Sequence, residues 1–301
     1  MHVREAANGV ELWTPAKLNL FFEVLAKRND GFHEIETLMV PVDLYDTLIV
    51  ENDPAGRLSL SCGWVGQFGV RESDSSGELP PEEDNLALKA VDLLRRRHAA
   101  GRGARLRLVK RIPAAAGLGG ASSDAAAALV GANRVWQLGL SVDRLAELAA
   151  ELGSDVPFFL FDRSAICRGR GERIEPVSGL GVLHFVVVRP PVGLATKDVY
   201  GRCRPAASPR RVREVIDALA RGDWSAATQR MVNRLEEPAA SLSPWIERLH
   251  AEFAAADCVA AQMTGSGSSV FGLCRSARHA RRVAARLRAA AVGAVFAVRS
   301  L

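Results

Sequence analysis

The stretch Lys110-Arg-Ile-Pro-Ala-Ala-Ala-Gly-Leu-Gly-Gly-Ala-Ser-Ser-Asp124 joins a strand-like run to an alanine-rich, helix-like run. Its three glycines, Gly117, Gly119 and Gly120, let the backbone approach a ligand with no side chain in the way, so that successive N–H groups converge on one point. The helix, which we expect to begin near Ser122 or Ser123, adds unpaired N–H groups and the positive end of its dipole. The stretch therefore predicts a phosphate-binding loop at a helix N-terminus.

Other glycine loops match this stretch less well. No Gly-Lys-Ser or Gly-Lys-Thr follows the glycines, so the loop is not of the Walker A type. Gly117 and Gly119 fill the first two positions of the dinucleotide-binding fingerprint, but Ser122 holds the third. The acidic residue about 20 positions on, Asp143, falls where a helix starts and not at a strand end. A tight turn that only packs a helix on a sheet would explain one or two glycines, but not the serines that open the helix.

Length and composition predict a globular chain of two lobes. The 301 residues exceed the usual single domain of about 100–200 residues, and we divide the chain into residues 1–162 and 163–301. With 48% hydrophobic and 24% charged residues, the chain can bury a large core. Residues 1–8 contain no apolar core, and no stretch approaches the roughly 18 apolar residues of a membrane span. We therefore expect a cytoplasmic protein with no membrane partner.

Cysteines and net charge exclude other classes of site. The five cysteines are scattered and form no C-x-x-C pair, which argues against a disulfide framework and a zinc site. The net charge of +5 could indicate nucleic-acid binding, but the excess is small. The densest arginines, in 275–286, lie on a predicted helix whose other side is apolar, so a solvated helix face is the better interpretation. We expect no nucleic-acid partner.

Three further segments carry candidate site residues. Residues 16–24 alternate as a half-buried strand, so Lys17 and Asn19 project from one face roughly 7 Å apart. That pattern fits a solvated lysine as well as a ligand-facing pair. Phe32 and His33 follow a turn and could stack on a base, although the two residues alone favour a packed ring and a surface histidine. Asp46-Thr47 predicts another turn, and 63–84 a long surface loop.

Two later segments complete the candidates. Asp155 stands between a helix-ending glycine and an apolar run, where a carboxylate needs a cation or hydrogen-bond donors; it could also cap the amide of Phe158 or Phe159. A second glycine and serine loop, 263–269, lies between strand-like runs. Two such loops in different lobes suggest a cleft that holds a phosphate chain from both sides. Thr196 is expected to cap a helix that contains Tyr200.

Three motifs resemble those of the GHMP small-molecule kinases in order and sequence: Pro15-Ala-Lys17-Leu-Asn19-Leu, Pro113 to Ser123, and Thr264-Gly265-Ser266-Gly267. The resemblance implies an α+β, two-lobed fold, with an N-terminal lobe like ribosomal protein S5 domain 2 and a C-terminal ferredoxin-like α/β lobe. It also implies an ATP- and Mg²⁺-dependent kinase of a small alcohol, monomeric or homodimeric.

More motifs are similar to the branch of this family that phosphorylates the 2-hydroxyl of 4-diphosphocytidyl-2-C-methyl-D-erythritol, in the non-mevalonate route to isoprenoid precursors. They are Asp30-Gly-Phe-His33-Glu-Ile-Glu-Thr37, Asp84-Asn85-Leu, Gly153-Ser-Asp155-Val-Pro157 and Asn233-Arg-Leu-Glu236. The small-molecule substrate that this resemblance implies is therefore a cytidine diphosphate methylerythritol.

The resemblance implies a role for each matched residue. Lys17 and Asp155 would be the catalytic pair. Asn85 and Lys110 would lie near the adenine, and the ATP phosphates would be held by Pro113, Ala114, Ala115, Ala116, Gly117, Leu118, Gly119, Gly120, Ala121, Ser122 and Ser123. Ser123 and Asp124, at the start of the helix, would be the candidate magnesium ligands. The substrate would be contacted by Asn19, Phe32, His33, Thr196, Tyr200, Gly265, Ser266 and Gly267.

The sequence departs from the family pattern at a few positions. Phe32 stands where the family usually has tyrosine, so stacking survives but a polar contact does not. Arg234 follows Asn233 where the family commonly has aspartate, and the phosphate loop is one glycine short. Two alternatives remain open: a GHMP kinase for another small alcohol, of the homoserine or mevalonate type, and a regulatory member of the fold without catalysis.

Overall fold

The computed structural model describes residues 1–6, 8–65 and 79–301, which form two compact units. The first unit comprises Met1–Ala16, Leu44–Ala114 and Gly119–Asp162; the second comprises Lys17–Asp43, Ala115–Leu118 and Arg163–Leu301. The predicted division after residue 162 coincides with the end of the first unit. However, residues 17–43 and 115–118, which that division gave to the N-terminal lobe, are part of the second unit.

In its described residues, the first unit combines a sheet with three α-helices. Its strands are β1 (His2–Ala6), the first part of β2 (Gly9–Lys27), the last part of β3 (His33–Asp53), β4 (Leu58–Trp64) and β5 (Gly103–Lys110). They run in the order β1-β2-β3-β5-β4, with β5 antiparallel to β3 and parallel to β4. The helices are α1 (Leu86–His98), α2 (Gly120–Val135) and α3 (Val142–Leu152).

Small residues bring α2 close to its neighbours. The alanines at 125–128 are fully buried, and α2 packs along α1. At Gly131 a Cβ atom would stand 2.7 Å from Cγ2 of Val50 on β3, so only glycine allows the helix to approach the sheet here. The predicted strand 105–110 is part of β5. The helix starts at Gly120, two residues before the expected start at Ser122, because Gly119 with φ of +72° is already its N-cap.

The second unit contains the rest of β2 and β3 and six further strands. These are β6 (Ala165–Gly169), β7 (Arg173–Pro176), β8 (His184–Arg189), β9 (Ala260–Met263), β10 (Val270–Cys274) and β11 (Ala294–Arg299). Its helices are α4 (Thr196–Arg202), α5 (Val212–Ala220), α6 (Trp224–Arg230), α7 (Glu236–Ala240), α8 (Trp245–Ala255) and α9 (Ala277–Ala289).

Four of these strands form an antiparallel sheet in the order β11-β8-β10-β9. Apart from α4 to α7, which are inserted after β8, the elements follow along the chain as β8, α8, β9, β10, α9 and β11, which is the split βαβ arrangement of a ferredoxin-like lobe. That topology agrees with the fold implied by the sequence resemblance. Helix α9 buries Ala280, Val283, Ala284 and Leu287, while its arginines are exposed. The prediction of a solvated arginine face is confirmed.

Several local predictions are corrected by the structure. Asp46 and Thr47 do not form a turn but lie inside β3, which continues to Asp53. Thr196 does not cap its helix; it is the first helical residue, and the N-cap is Ala195. The predicted loop 63–84 begins inside β4 and ends in a 3-10 helix, Glu82–Asp84, while 66–78 lie outside the described residues. Among the described residues, every helix is too short or too polar to span a bilayer.

Candidate functional site

The predicted phosphate loop has the backbone of an anion-binding turn. Ala115, Gly117 and Gly119 have φ values of +50°, +73° and +72°, so every second residue from 115 to 119 is left-handed, the alternation found in anion-binding backbone turns. Gly119, the N-cap of α2, has no side chain to accept from the first turn of that helix. The N–H groups of this turn therefore stay available to an anion. Residues 115–118 belong to the second unit, and the rest of the loop to the first.

Within the first unit, a buried charge network holds both ends of the loop. Lys110 Nζ donates to Asp46 Oδ2 at 2.5 Å and to Asp124 Oδ2 at 2.6 Å. Asp124 also accepts from Thr14 Oγ1 at 2.8 Å. Asp46 Oδ1 accepts from the backbone N–H of Ile112 at 2.8 Å and from that of the preceding residue. The network thus fixes the chain where it enters the loop and where α2 leaves it.

The charges of this network depend on one another. Burial raises the pKa of Asp124 to about 7, against the attraction of Lys110. Burial disfavours the charged form of Lys110, but the carboxylates of Asp124 and Asp46 outweigh it and raise the lysine pKa. The ammonium therefore remains charged and holds two acidic side chains together. Sequence reasoning proposed only an adenine contact for Lys110 and overlooked Asp46 and Thr14, whose partners lie far away in sequence.

Two further predicted nucleotide residues lie in the first unit. Asn85 is the N-cap of α1, and its Oδ1 accepts from the N–H of Ala87 at 3.0 Å. Ser123 is fully buried in the first turn of α2, and within the described chain its Oγ has no hydrogen-bond partner. A buried hydroxyl without a partner at a phosphate-binding turn fits an oxygen-preferring cation or a phosphate oxygen.

In the second unit, Lys17 and Asn19 form a buried pair. They project from one face of β2, as predicted, and Lys17 Nζ donates to Asn19 Oδ1 at 2.6 Å. Asn19 Nδ2 donates to Thr37 Oγ1 at 2.8 Å, which orients the amide so that its oxygen faces the ammonium. Only 3% of Lys17 is exposed, so the alternative of a solvated lysine is wrong. Asn19 is fully buried, and its side-chain oxygen fixes the position of the Lys17 ammonium.

Residues 115–118 lie against the second glycine loop and β2. The N–H of Lys17 donates to Leu118 O at 2.9 Å, and Thr264 Oγ1 lies 3.2 Å from Gly117 O. A Cβ atom at Gly265 would stand 3.2 Å from Lys17 Nζ and 3.2 Å from Gly117 O. The lysine ammonium and both glycine loops therefore converge on one place within the second unit.

Side chains around the second loop also fix its shape. Asn233 Nδ2 donates to Met263 O at 2.7 Å and to Gly265 O at 2.8 Å, so this amide fixes two backbone carbonyls of the loop. Its neighbour Arg234, a departure from the family pattern, pairs with the fully buried Glu23 at 2.6 Å. Sequence reasoning gave Asn233 no specific role. The hydroxyls of Ser268 and Ser269 are buried and, in the part of the chain that the structure describes, have no hydrogen-bond partner.

The residues predicted to contact a base lie together in the second unit. The rings of His33 and Tyr200 are 5.1 Å apart between centroids and inclined by 34°. Phe32 is 48% exposed, and the guanidinium of Arg170 lies 4.8 Å from its ring centroid. Burial, together with the charge of Lys27, lowers the pKa of His33. Thr196 Oγ1 and Ser266 Oγ are hydrogen-bonded at 2.9 Å.

Asp155 lies in the first unit, half-buried between the end of α3 and a 3-10 helix, Pro157–Leu160. The backbone N–H of Phe159 donates to Val156 O at 3.3 Å. Because Lys17 belongs to the other unit, the assignment of Lys17 and Asp155 as a catalytic pair stays a prediction. No cluster of three or more metal-ligating His, Cys, Asp or Glu residues occurs within 1–6, 8–65 and 79–301.

Comparison with known proteins gives consistent results along the chain. Residues 85–163 match the model of the GHMP kinases N-terminal domain, and residues 215–293 match that of the GHMP kinases C-terminal domain. A protein of Pelotomaculum thermopropionicum named 4-diphosphocytidyl-2-C-methyl-D-erythritol kinase is 40% identical over 91% of this chain and 92% of its own length.

Solved structures show the same likeness. A crystal structure of 4-(cytidine 5'-diphospho)-2C-methyl-D-erythritol kinase is 36% identical, with a TM-score of 0.78 over 96% of this chain and 98% of that one. A homoserine kinase from Cytophaga hutchinsonii has a TM-score of 0.71 over 100% of this chain and 97% of its own, but only 16% identity. The second likeness extends to the fold alone.

Proposed function

This chain belongs to the GHMP kinases, and from that membership and the site geometry we propose that it phosphorylates the 2-hydroxyl of 4-diphosphocytidyl-2-C-methyl-D-erythritol. The products are the 2-phosphate and ADP, and the reaction belongs to the non-mevalonate route to isoprenoid precursors. The observation that chiefly supports the proposal is the convergence of the Lys17 ammonium with Gly117 and Gly265 of the two glycine loops. A cation beside two glycine loops suits a transferring phosphoryl group.

ATP binds through its phosphates to the loop Pro113 to Ser123. The left-handed positions and the open first turn of α2 supply N–H donors, and the Lys110 network keeps that turn in place. Asn85 and Lys110 lie on the adenine side of the nucleotide in this proposal. Because Lys110 Nζ is already bound to two carboxylates, its contribution there is mainly to hold the loop.

Phosphoryl transfer requires positioning of the two substrates and neutralisation of phosphate charge more than covalent catalysis. The oxygen of the substrate 2-hydroxyl forms a bond to the γ-phosphorus while the bond from that phosphorus to the bridging oxygen of ADP breaks. The carboxylate of Asp155 takes up or orients the hydroxyl proton. Lys17, held by Asn19, stabilises the negative charge on the moving phosphoryl group.

Ser123 is the residue that fits a magnesium ion, because its buried Oγ lacks a partner among the described residues. Mg²⁺ prefers oxygen ligands and is usually held by one or two protein groups together with substrate phosphates. Held by Ser123 and the nucleotide phosphates, such an ion would supply positive charge that offsets the negative charge of the phosphates.

The substrate is recognised at its base and at its diphosphate. His33 hydrogen-bonds the edge of the cytosine, while Tyr200 and Phe32 supply aromatic faces for stacking. Gly265, Ser266 and Gly267 lie along the substrate phosphates, and further contacts come from Thr196 and Asn19. We place the enzyme in the cytoplasm as a monomer or homodimer without a nucleic-acid partner, and its free cysteines are consistent with that reducing compartment.

The alternatives explain fewer observations. A homoserine or mevalonate substrate has no base, and would leave the adjacent rings of His33 and Tyr200 without a ligand. A regulatory protein without catalysis would have no use for both Lys17 and Asp155.

An assay of ATP consumption with three alcohols tests the proposal. We expect turnover with the cytidylated methylerythritol and only background rates with homoserine and mevalonate. Phosphate at the 2-position of the product, read by ³¹P and proton NMR, identifies the reacting hydroxyl. Comparable rates with homoserine or mevalonate would show that the base is not recognised and contradict the proposed substrate.

The role of Asp155 is tested with an isosteric variant. Asp155→Asn removes the proton acceptor, so we expect kcat to fall by about 10²–10⁴-fold with little change in ATP affinity. Asp143→Asn is the matched control, because Asp143 is an exposed acid in the first turn of α3 of the same unit. Near-normal kcat in Asp155→Asn would remove Asp155 from the mechanism.

A further inference from the structure

Two cysteine thiols lie side by side in the second unit, outside the proposed phosphoryl-transfer site. The Sγ atoms of Cys258 and Cys274 are 4.0 Å apart. Cys274 is the last residue of β10, and Cys258 lies two residues before β9. The two strands are antiparallel, with Leu273 opposite Ala260, so both thiols lie at the same end of this hairpin.

Both side chains occupy one face of the hairpin. Gly272 and Cys274 share a face of β10, because alternate residues of a strand point the same way. A Cβ atom at Gly272 would stand 2.9 Å from Cys258 Sγ and 2.4 Å from Cδ1 of Phe253 on α8. The missing side chain of Gly272 therefore provides the space in which the Cys258 thiol reaches the partner thiol.

The chain on either side of the thiols is already fixed. Arg275 Nη1 bonds to Asp257 Oδ2 at 2.8 Å and to Asp257 O at 3.0 Å. These residues directly neighbour Cys274 and Cys258. With the two backbone segments held together, the Sγ–Sγ distance has to shorten from 4.0 Å to a bond of about 2.05 Å for a disulfide to form.

The two thiols differ in access to solvent. Cys274 is fully buried, whereas Cys258 is partly exposed. The hydrogen bond with Cys274 and the nearby charge of Arg275 lower the pKa of Cys258 although burial and Asp257 oppose this. The hydrogen bond and burial raise the pKa of Cys274. An oxidant therefore reaches the Cys258 thiol first, and the buried Cys274 thiol is close enough to react with the oxidised Cys258.

We propose that Cys258 and Cys274 form an oxidative modification site at which hydrogen peroxide produces an intramolecular disulfide. In the first step the Cys258 thiol is oxidised to a sulfenic acid and the peroxide is reduced to one water. In the second step the Cys274 sulfur attacks the sulfenic sulfur, the S–S bond forms, and a second water leaves with the Cys274 proton. The disulfide closes the base of the β9–β10 hairpin, whose other end carries the loop 264–269.

Peptide mass spectrometry tests the proposal on the whole protein. Trypsin cleavage after Arg248 and Arg275 releases peptide 249–275, which contains both cysteines and no internal cleavage site. The folded protein is exposed to hydrogen peroxide, quenched, and alkylated under denaturing conditions. We expect this peptide to lose two hydrogen atoms and take up no alkyl group, whereas untreated protein takes up two.

Two variants separate the steps. In Cys274→Ala, the Cys258 sulfenic acid has no resolving thiol, so dimedone should label Cys258. In Cys258→Ala, the buried Cys274 should remain a thiol under the same exposure. Both variants should keep the basal kinase rate, since neither thiol belongs to the proposed catalytic or binding residues.

Three results would overturn the proposal. One is complete alkylation of both cysteines in folded wild-type protein after the peroxide exposure that labels Cys258 in Cys274→Ala. The second is no dimedone label on Cys258 in that variant. The third is disulfide formation that is as frequent in denatured as in folded protein, because the fold would then contribute nothing.

Discussion

Asn19 shows how a residue predicted as a substrate contact is used by the fold. Its side-chain oxygen accepts from Lys17 Nζ and Thr264 Oγ1, and one N–H of its amide donates to Thr37, all within the second unit. Thr37 in turn donates to Phe21 O at 2.6 Å. Strand alternation predicted the shared face of Lys17 and Asn19. It could not predict Thr37 and Thr264, because these partners arrive through tertiary pairing.

At the same scale, the pH dependence of substrate binding tests His33. Its lowered pKa keeps the imidazole neutral near pH 7, with one nitrogen as a hydrogen-bond acceptor. Protonation removes that acceptor. We therefore expect KM for the cytidylated substrate to be constant above about pH 6.5, the ordinary histidine pKa, and to rise below it. Initial rates at saturating ATP measure this profile.

His33→Asn is the control, because an amide keeps a donor and an acceptor but does not titrate. Its KM should be higher than that of the wild type and independent of pH in this range. A wild-type KM that already rises above about pH 6.5, or the same pH profile in both proteins, would contradict a role of His33 in binding the base.

At the scale of elements, the sequence predicted β5, the helices α2, α4 and α9, and the glycine turn. It failed where a polar residue is used inside a strand. Asp46-Thr47 looks like a turn because aspartate favours turns when its side chain bonds to its own backbone. Here that carboxylate bonds to Lys110 and to the amide of Ile112 instead, so β3 runs unbroken through it. Local propensity cannot foresee partners that are more than 60 residues away.

The loop between β5 and α2 offers a test of close packing. Gly117 has φ of +73°, and a Cβ atom there would stand 2.2 Å from Thr264 O. Gly117→Ala must therefore move the second glycine loop as well as strain the backbone. We expect kcat/KM to fall by about 10²-fold, the effect of a small misplacement of catalytic groups, and Tm to fall as well. Steady-state kinetics and thermal unfolding measure the two effects.

Gly139→Ala provides the matched control for this variant. Gly139, between α2 and α3, has φ of +65°, but a Cβ atom added there would have nothing within 4 Å of it. Its substitution carries a similar left-handed backbone cost of about 1–2 kcal/mol without a clash. It should lower Tm and leave kcat/KM unchanged. Equal activities in the two variants would show that the contact between Gly117 and Thr264 does not matter for turnover.

For the whole molecule, the resemblance of short motifs to a known family predicted more of the fold than hydrophobic periodicity and composition did. The order of three short motifs was enough to predict the family and the ferredoxin-like lobe, both of which were confirmed. The division at residue 162 could not foresee that β2 and β3 each contribute to both compact units. The pairing of the buried Glu23 with the half-buried Arg234 was also missed, because the two charges meet only once the chain is folded.

The unfolding free energy of the whole protein should depend more on the buried ion pairs of Lys110 than on an exposed ion pair with a similar N–O distance. Lys110→Met keeps the apolar stem but leaves Asp46 and Asp124 buried without their cation, so we expect a loss of about 3–5 kcal/mol in unfolding free energy. Arg97→Met also removes one positive charge, but its partner Glu151 is half-exposed, so the loss should stay below about 1 kcal/mol. Equilibrium urea unfolding measures both. A Lys110→Met midpoint equal to that of Arg97→Met would show that the buried carboxylates do not need the ammonium.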